Sequence, residues 1–219
     1  MTRLKHQQPM SGNNLLGRSG SPMARSRSPK ARAPLLPPVK ELTFLPAPPG
    51  NGTVRNVPLA YKQQSLQVVI TDCASPFEPS SMIEGASRLS LTLRLPKQWD
   101  SSVDCFESCL VHEIAERSQE FFGRSLPEEE VTALYKPISK KTGEYPRNLR
   151  VKVNTSGAYR TRYWAANKEE MAAPQSHAGL GFNARVAIRG LWFGEDAWGV
   201  VAECTDLQLT EEATVACPF

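Results

Sequence analysis

Two β-strands joined by a short turn are the feature that most constrains the fold of this chain. Residues 183–209 read NARVAIRGLWFGEDAWGVVAECTDLQL, and the turn is predicted at residues 194–196. The apolar residues of the first strand are Val186, Ile188 and Trp192, and its basic residues are Arg185 and Arg189. Because successive side chains of a strand point to opposite faces, one face suits a core and the other carries guanidinium groups. The pattern predicts that Trp192 lies in the core.

Two upstream segments repeat this separation of cations from apolar groups. Residues 148–154 place Leu149, Val151 and Val153 on one face and Arg150 and Lys152 on the other, and residues 158–164 place Arg160, Arg162 and Trp164 opposite Tyr159 and Tyr163. Cations bind phosphates, and unstacked bases stack on aromatic or guanidinium planes, so this composition suits a platform for single-stranded nucleic acid. A purely structural sheet with one solvated face would show the same pattern and stays an equal alternative at this point.

The carboxyl-terminal half also carries a recognisable order of segments. Its parts are Lys136-Pro137-Ile138, Lys140 and Lys141, Tyr145-Pro146, the strand 148–154, the block 190–193 and the strand that begins at Trp198. From about Tyr135 to Leu209, about a third of the chain, this order resembles the OB-fold single-stranded-DNA-binding proteins of large eukaryotic DNA viruses, and more distantly phage replication proteins. The resemblance implies sequence-tolerant strand binding in replication, recombination or repair, without catalysis. Glu195 and Asp196 depart from it, because a DNA-binding loop would be expected to carry Lys at this tip.

These observations predict a mainly β protein with one or two helices (α+β), an OB-like antiparallel β-barrel with a packed amphipathic helix. The expected ligand is single-stranded DNA, with RNA left open, and neither a cofactor nor a metal is expected. The predicted nucleic-acid-binding residues are Lys140, Lys141, Tyr145, Arg147, Arg150, Lys152, Arg160, Arg162, Trp164, Arg185 and Arg189. Trp164 is the leading stacking residue, and Tyr159 or Tyr163 are further candidates. The alternative is a non-enzymatic structural or adaptor protein that binds protein partners through its basic arm and sheet.

Charge is distributed unevenly along the 219 residues. Of the 26 basic residues, eight lie before Glu41, where there is no acidic one, so the remainder holds 18 basic and 22 acidic residues. Electrostatic attraction supplies most non-specific affinity for nucleic acid. The body of the protein must therefore separate its charges, with cations on the sheet and acids such as Glu128, Glu129 and Glu130 elsewhere.

The first 40 residues are rich in Ser, Pro, Gly and Arg and are predicted to form a disordered basic arm, because such a sequence buries too little apolar surface to offset chain entropy. An Arg-rich arm can bind phosphates or direct nuclear import, and phosphorylation at Ser21 or Ser28 would weaken either function. The predicted location is the nucleus or a viral replication site. An organelle transit peptide that is cleaved after import is the alternative.

The folded domain is predicted to span residues 41–210, with strands at 65–71 and 88–95 and a helix at about 103–122. Ser101 with Asp104 resembles a capping box, and Gly123 is expected to end the helix. A second helix is predicted between Ser125 and Pro137. A bulge is expected near Thr205, because the parity of the last strand changes there. No run is long and apolar enough for a membrane span, and residues 211–219 form a short tail that resembles the acidic tips with which single-strand-binding proteins recruit replication proteins.

Three catalytic or metal-binding arrangements are rejected. Cys105, Cys109 and His112 share one helical face, whereas structural zinc ligands usually come in close pairs from turns. The same face is needed for the core, so these thiols are expected to be buried and inert. His112-Glu113 begins like a zincin helix, but Glu116 stands where the second histidine is required. A Cys/His nucleophile lacks a group that would orient the histidine.

Overall fold

The structure, a computed structural model, describes residues 36–48 and 53–210. Its strands are β1 (Leu42–Phe44), β2 (Arg55–Tyr61), β3 (Gln64–Ala74), β4 (Arg88–Arg94), β5 (Tyr135–Lys136), β6 (Ser139–Lys140), β7 (Asn148–Asn154), β8 (Arg162–Trp164), β9 (Glu170–Met171), β10 (Gly181–Phe193) and β11 (Trp198–Leu209). The helices are α1 (Asp100–Glu116), α2 (Ser118–Phe122) and α3 (Glu128–Leu134), with 3-10 turns at Val39–Glu41 and Lys97–Trp99.

Five strands close into a ring, in the order β3, β4, β7, β11, β10 and back to β3. The contact between β7 and β11 is parallel and joins Lys152 to Glu203, whereas the other four contacts of the ring are antiparallel. The inward side chains of β4 and β7 are the ones that the alternation predicts, such as Leu91, Leu93 and Val151, each at most 1% exposed. The predicted mainly β, OB-like barrel with a few helices is therefore confirmed.

The predicted long helix is divided at Arg117 into α1 and α2. Gly123 ends α2 with a left-handed φ of 72°, as expected. The predicted capping box is wrong, because α1 begins at Asp100 and its N-cap, Trp99, makes no capping bond through its side chain. Val103 and Phe106 of α1 share an apolar space with Leu95 and Leu149, so the helix packs on the barrel through these side chains.

The β10–β11 hairpin contains two bulges that change which side chains face inward. One lies at Thr205, as predicted, because Arg185 pairs with Asp206 while Val186 pairs with Cys204. The other lies at Arg189 and was not predicted. An extra residue shifts the parity of everything after it. The prediction that Trp192 is core is therefore wrong: Leu191 and Phe193 are buried instead, and Trp192 is partly exposed.

The folded part begins before the predicted boundary at residue 41. Leu36 and Val39 are 8% and 4% exposed and belong to the core cluster. The remainder of the predicted basic arm and the tail 211–219 lie outside the described residues. Among the residues described, no helix has the length and apolar character needed to cross a bilayer.

Candidate nucleic-acid interface

A groove of about 1140 Å³ runs over the outer faces of β4 and β7. We call it the strand groove. Its cations are Arg88 from β4, Arg150 and Lys152 from β7, and Lys136 from β5. Glu78 is the carboxylate among the groove-lining residues of the described chain. The lining therefore carries a clear excess of positive charge, although the body of the protein as a whole is acidic.

The connection between β3 and β4 forms one wall of the strand groove. It is fixed at two points, because Ser75 Oγ donates to the carbonyl of Phe77 at 2.7 Å and Ser80 bridges to Ser90 of β4. Large apolar side chains of this connection are exposed. They are Phe77 and Ile83, which are 61% and 72% exposed, and Met82, which is fully exposed. The wall thus presents apolar groups next to a row of cations.

Glu78 holds the same wall against a second segment. Its carboxylate accepts bonds from the Ser176 hydroxyl and from the backbone N–H groups of His177 and Ala178. These bonds, the Ser176 hydroxyl first, lower the pKa of Glu78 to about 2. Because Glu78 is engaged with residues 176–178, it does not form an ion pair with the cations of the groove.

Glu203 on the outer face of β11 binds two arginines from neighbouring strands. Its carboxylate lies 2.7 Å from Nη2 of Arg88 and 2.9 Å from Nε of Arg189. Arg189 also lies over the ring of Tyr159, with 5.9 Å from Cζ to the ring centroid. We call Glu203 and its two arginines the Glu203 cluster. One carboxylate between two guanidinium groups leaves one net positive charge and fixes both side chains in place.

Asp206, the next outward residue beyond the bulge, repeats this arrangement. It lies 2.7 Å from Nη2 of Arg162 and 3.4 Å from Nη1 of Arg185, and it accepts a bond from the indole nitrogen of Trp164 at 3.0 Å. Arg162 lies over the Trp164 ring at 5.3 Å. We call these residues the Asp206 cluster. The predicted stacking residue is therefore oriented by the same carboxylate that orients two predicted phosphate ligands.

The two clusters share one exposed surface because Glu203 and Asp206 both lie on the outer face of β11. Glu203 pairs with Lys152 of β7, and Asp206 pairs with Arg162 of β8 and Arg185 of β10. Seven predicted residues consequently lie along this surface, together with Arg88, which the sequence analysis missed. They are Arg150, Lys152, Arg160, Arg162, Trp164, Arg185 and Arg189. Arg160 joins its edge through an ion pair with Glu170 at 3.4 Å.

Lys152 is partly buried and lies among like charges. Burial is the main cause that lowers its pKa, and the nearby Arg88 and Arg150 lower it further. Its ammonium donates to Ser90 Oγ at 2.7 Å, and a hydroxyl supplies no negative charge. An anion bound beside Lys152 would relieve this repulsion, so the surface favours a negatively charged ligand.

Trp192 lines the strand groove instead of the barrel core. Its partner on β11 is Gly199, and a Cβ added there would lie 2.9 Å from the indole nitrogen. Glycine therefore lets the indole lie directly against β11. The result is a second tryptophan on the exposed side of the sheet, in the lining of the same groove as the cations.

Four of the predicted binding residues lie away from this surface. Arg147 is 4% exposed, donates to Ser139 and forms ion pairs with Asp100 and Asp104, so its guanidinium has a structural role. Lys141 is bound to Asp100 at 2.8 Å. Lys140 and Tyr145 are exposed but line neither the groove nor the Asp206 cluster. Carboxylates from α1 use the donors of Arg147, which argues against the binding role predicted for it.

Cys105 and Cys109 differ from the prediction in their burial. Cys105 and Cys109 are exposed, with their sulfur atoms 3.9 Å apart, whereas Cys73 and Cys204 are buried. His112 is bound to Glu128 at 3.0 Å. In the part of the chain that the structure describes, no group of three or more His, Cys, Asp or Glu residues could hold a metal ion.

Some of the missed residues left a signal in the sequence. Arg88 shares the polar parity of its strand with Ser90 and Thr92, on the face opposite the leucines. Met82 and Ile83 are apolar residues in a loop rich in Ser, Pro and Gly. Trp192 left no such signal, because its exposure depends on the bulge at Arg189, and the alternation of apolar and polar residues does not predict that bulge.

Comparisons with known proteins give only distant structural similarity. No protein-family profile matches the chain, and no curated protein matches it. Among solved structures it is similar to the single-stranded DNA-binding protein from bacteriophage Enc34 in complex with ssDNA, at 14% identity and a TM-score of 0.42, over 77% of this chain and 96% of that one. It is also similar to gp2.5, a single-stranded DNA-binding protein encoded by bacteriophage T7, at 13% identity and a TM-score of 0.46, over 69% and 95%.

At these values the likeness identifies neither a family nor a ligand for this chain. Both similar proteins come from bacteriophages, so they give no support to the predicted membership in the family of large eukaryotic DNA viruses.

Proposed function

We propose that this protein binds single-stranded DNA along the strand groove and the two arginine clusters, without catalysis and with tolerance of sequence along the groove. The observation that carries the proposal is that Arg88, Arg150, Lys152 and Trp192 all line one open groove. Phosphates would be bound by these cations, and bases would stack on the rings.

The position of the groove within the barrel supports the same ligand. Counted along the chain, β4 and β7 are the second and third strands of the ring, and residues 75–87 connect its first and second strands. In OB-type barrels this face and this connection are where oligonucleotides bind. Phe77, Met82 and Ile83 would then contact unstacked bases. An exposed apolar wall therefore suits a single strand better than a duplex, in which the bases are paired and stacked.

The arginine clusters explain how an acidic body could still bind a polyanion. Each carboxylate keeps two guanidinium groups in position, and a guanidinium has five donors, so donors remain for phosphate. The side chains of Arg88, Arg162 and Arg185 are about half exposed, at 48%, 48% and 49%. Roles in replication, recombination or repair are part of the proposal, as is an accessory contribution from the basic arm.

The test is a titration of fluorescently labelled oligonucleotide at two salt concentrations. It compares the full chain, a chain that begins at Leu36, and the full chain with Arg150→Ala and Lys152→Ala. We expect the shortened chain to keep salt-sensitive binding to single strands and to prefer them over duplex. The double variant should bind more weakly.

Lys97→Ala with Arg124→Ala is the matched control, because both residues are exposed cations that do not line the strand groove. If only chains with residues 1–35 bind, and bind duplex equally well, the groove is not the binding site. That result would favour a structural or adaptor protein.

A further inference from the structure

A second pocket, of about 400 Å³, lies over the Asp206 cluster at the end of the sheet beyond the strand groove. Two rows of side chains cross β10, β11 and β8 beneath it. The first row is Arg185, Asp206 and Arg162, and the second is Asn183, Gln208 and Trp164, in each case as direct partners in the strand register. We call the space above these six residues the amide pocket.

In the first row, the central Asp206 has no oxygen left for a ligand, whereas the arginines at the two ends are available. Asp206 accepts from Arg162, Arg185, Trp164 and the hydroxyl of Thr205, so both of its oxygens are occupied. The two arginines, by contrast, are half exposed. This row can bind a phosphate at its guanidinium groups and has no free carboxylate to repel one.

The second row presents a donor beside an acceptor. Asn183 accepts a bond from the backbone N–H of Asp72 at 3.1 Å through Oδ1, which leaves its NH₂ group for a ligand. Gln208 donates through Nε2 to the carbonyl of Ala166 at 3.2 Å, which leaves its Oε1. Direct cross-strand partners have Cβ atoms about 5 Å apart. The two amides are thus held in fixed and opposite hydrogen-bonding senses, next to the ring of Trp164.

The turn between β8 and β9 contributes another cation to the pocket. Lys168 lines the pocket from the turn between β8 and β9. Its φ of 69° is unusual for a residue other than glycine, and the turn is closed by a bond from the N–H of Lys168 to the carbonyl of Ala165 at 2.9 Å. The pocket therefore combines a ring, a donor, an acceptor and three cations.

A single unpaired nucleotide has the complementary chemistry. A base edge such as that of adenine displays a hydrogen-bond donor beside an acceptor, and the amides of Asn and Gln are side chains that pair with such an edge. Unstacked bases in single strands are recognised by stacking together with such edge contacts. A phosphate attached to the same nucleotide would meet Arg162, Arg185 or Lys168.

We propose that the amide pocket binds one nucleobase of the strand through Asn183 and Gln208, so that affinity depends on the identity of the base at one position. The inference rests on the proposed function and refines it. The strand groove supplies affinity that tolerates any sequence, and the amide pocket adds a preference at one end of it.

The experiment measures affinity for oligonucleotides of dA, dC, dG and dT with the full chain and two variants. Asn183→Asp keeps the oxygen that accepts from Asp72 and replaces the ligand-facing donor with an acceptor. Gln208→Ala removes the acceptor. Gln67→Glu is the control for the added charge, because Gln67 is an exposed amide on β3 that lines neither pocket.

We expect the wild-type protein to separate its best and worst bases by about fivefold or more, which is the lower end of what one paired edge contact contributes. Asn183→Asp should change the order of preference, Gln208→Ala should reduce the spread, and Gln67→Glu should lower all four affinities alike. Equal wild-type affinities, or a preference that both variants retain, would overturn the amide pocket and leave the strand groove standing. If no oligonucleotide binds, both proposals fail.

Discussion

Two groups of cations lie close together in the chain but in different surroundings. Lys141 and Arg147 precede β7 and meet Asp100 and Asp104 at the start of α1. Arg150 and Lys152 follow within β7 and face the strand groove, where their carboxylate neighbour, Glu78, is bound to another segment. The comparison teaches that positive charge becomes available for a ligand where the fold keeps carboxylates away or places one carboxylate between two cations, and not where carboxylates match the cations in number.

The same comparison explains the acidic surplus of the body. Part of it lies on α1 and α3, where Asp100 and Asp104 hold Arg147 and where Glu128 binds His112. On the candidate surface, Glu203 and Asp206 are each shared by two arginines. A net charge counted over the whole body therefore says little about the charge at the groove.

The largest expected effect tests whether Arg147 belongs to the structural group of cations, and it concerns the free energy of unfolding. Arg147→Ala should reduce the free energy of unfolding by about 3 kcal/mol, the lower end of the cost of removing one partner from a buried ion pair, because the exposed Asp104 can be hydrated. Denaturant titration measures it, with Arg150→Ala as the control. If oligonucleotide affinity at matched folded fraction also fell strongly, Arg147 would belong to the binding surface.

The next effect is on binding at the Asp206 cluster. Trp164→Ala should weaken single-strand binding by about 1–3 kcal/mol, the contribution of one stacked base, without unfolding the domain. Trp164→Phe keeps a ring but loses the bond to Asp206, and it should retain most of the affinity. Isothermal titration of both variants decides between stacking and a purely structural indole. Equal losses in the two variants would indicate that the bond to Asp206 matters more than the ring.

Removal of Arg150 and Lys152 together should change the salt dependence more clearly than the affinity at one salt concentration. Each phosphate contact on a single strand contributes about 0.7 to the slope of log K against log salt, so the slope should flatten by roughly 1.4. The unfolding free energy should change by less than about 0.5 kcal/mol, as for other surface substitutions. An unchanged slope would place the phosphates elsewhere.

The smallest effect concerns the wall of the groove. The pKa of Glu78 is lowered to about 2 by its bonds to residues 176–178, so these bonds contribute fully above the ordinary carboxyl pKa of 4.5 and are lost as the pH falls toward 2. Amide exchange or chemical shifts of His177 and Ala178 should report release of the wall in that range. Glu78→Gln should show weaker protection already at neutral pH. Protection that is independent of pH would contradict the assignment.

Alternation predicted most of the barrel strands and their faces. Leu91, Leu93, Val151 and Val153 are buried as expected, because the period of two is a local property of an extended backbone. It failed at Trp192, where a bulge at Arg189 shifts the parity by one residue. Prediction of that bulge requires knowledge of the facing strand, which the local pattern does not contain.

The sequence by itself determined which side chains could form a core and that cations and rings would line the opposite faces of several strands. Only the tertiary structure decided which of those cations remain available. The Arg88–Glu203 bond joins residues 115 positions apart, and Arg147 meets Asp104 across 43 positions. The physical reason is that strand geometry acts between neighbours in the chain, whereas ion pairing depends on distances that closure of the barrel sets.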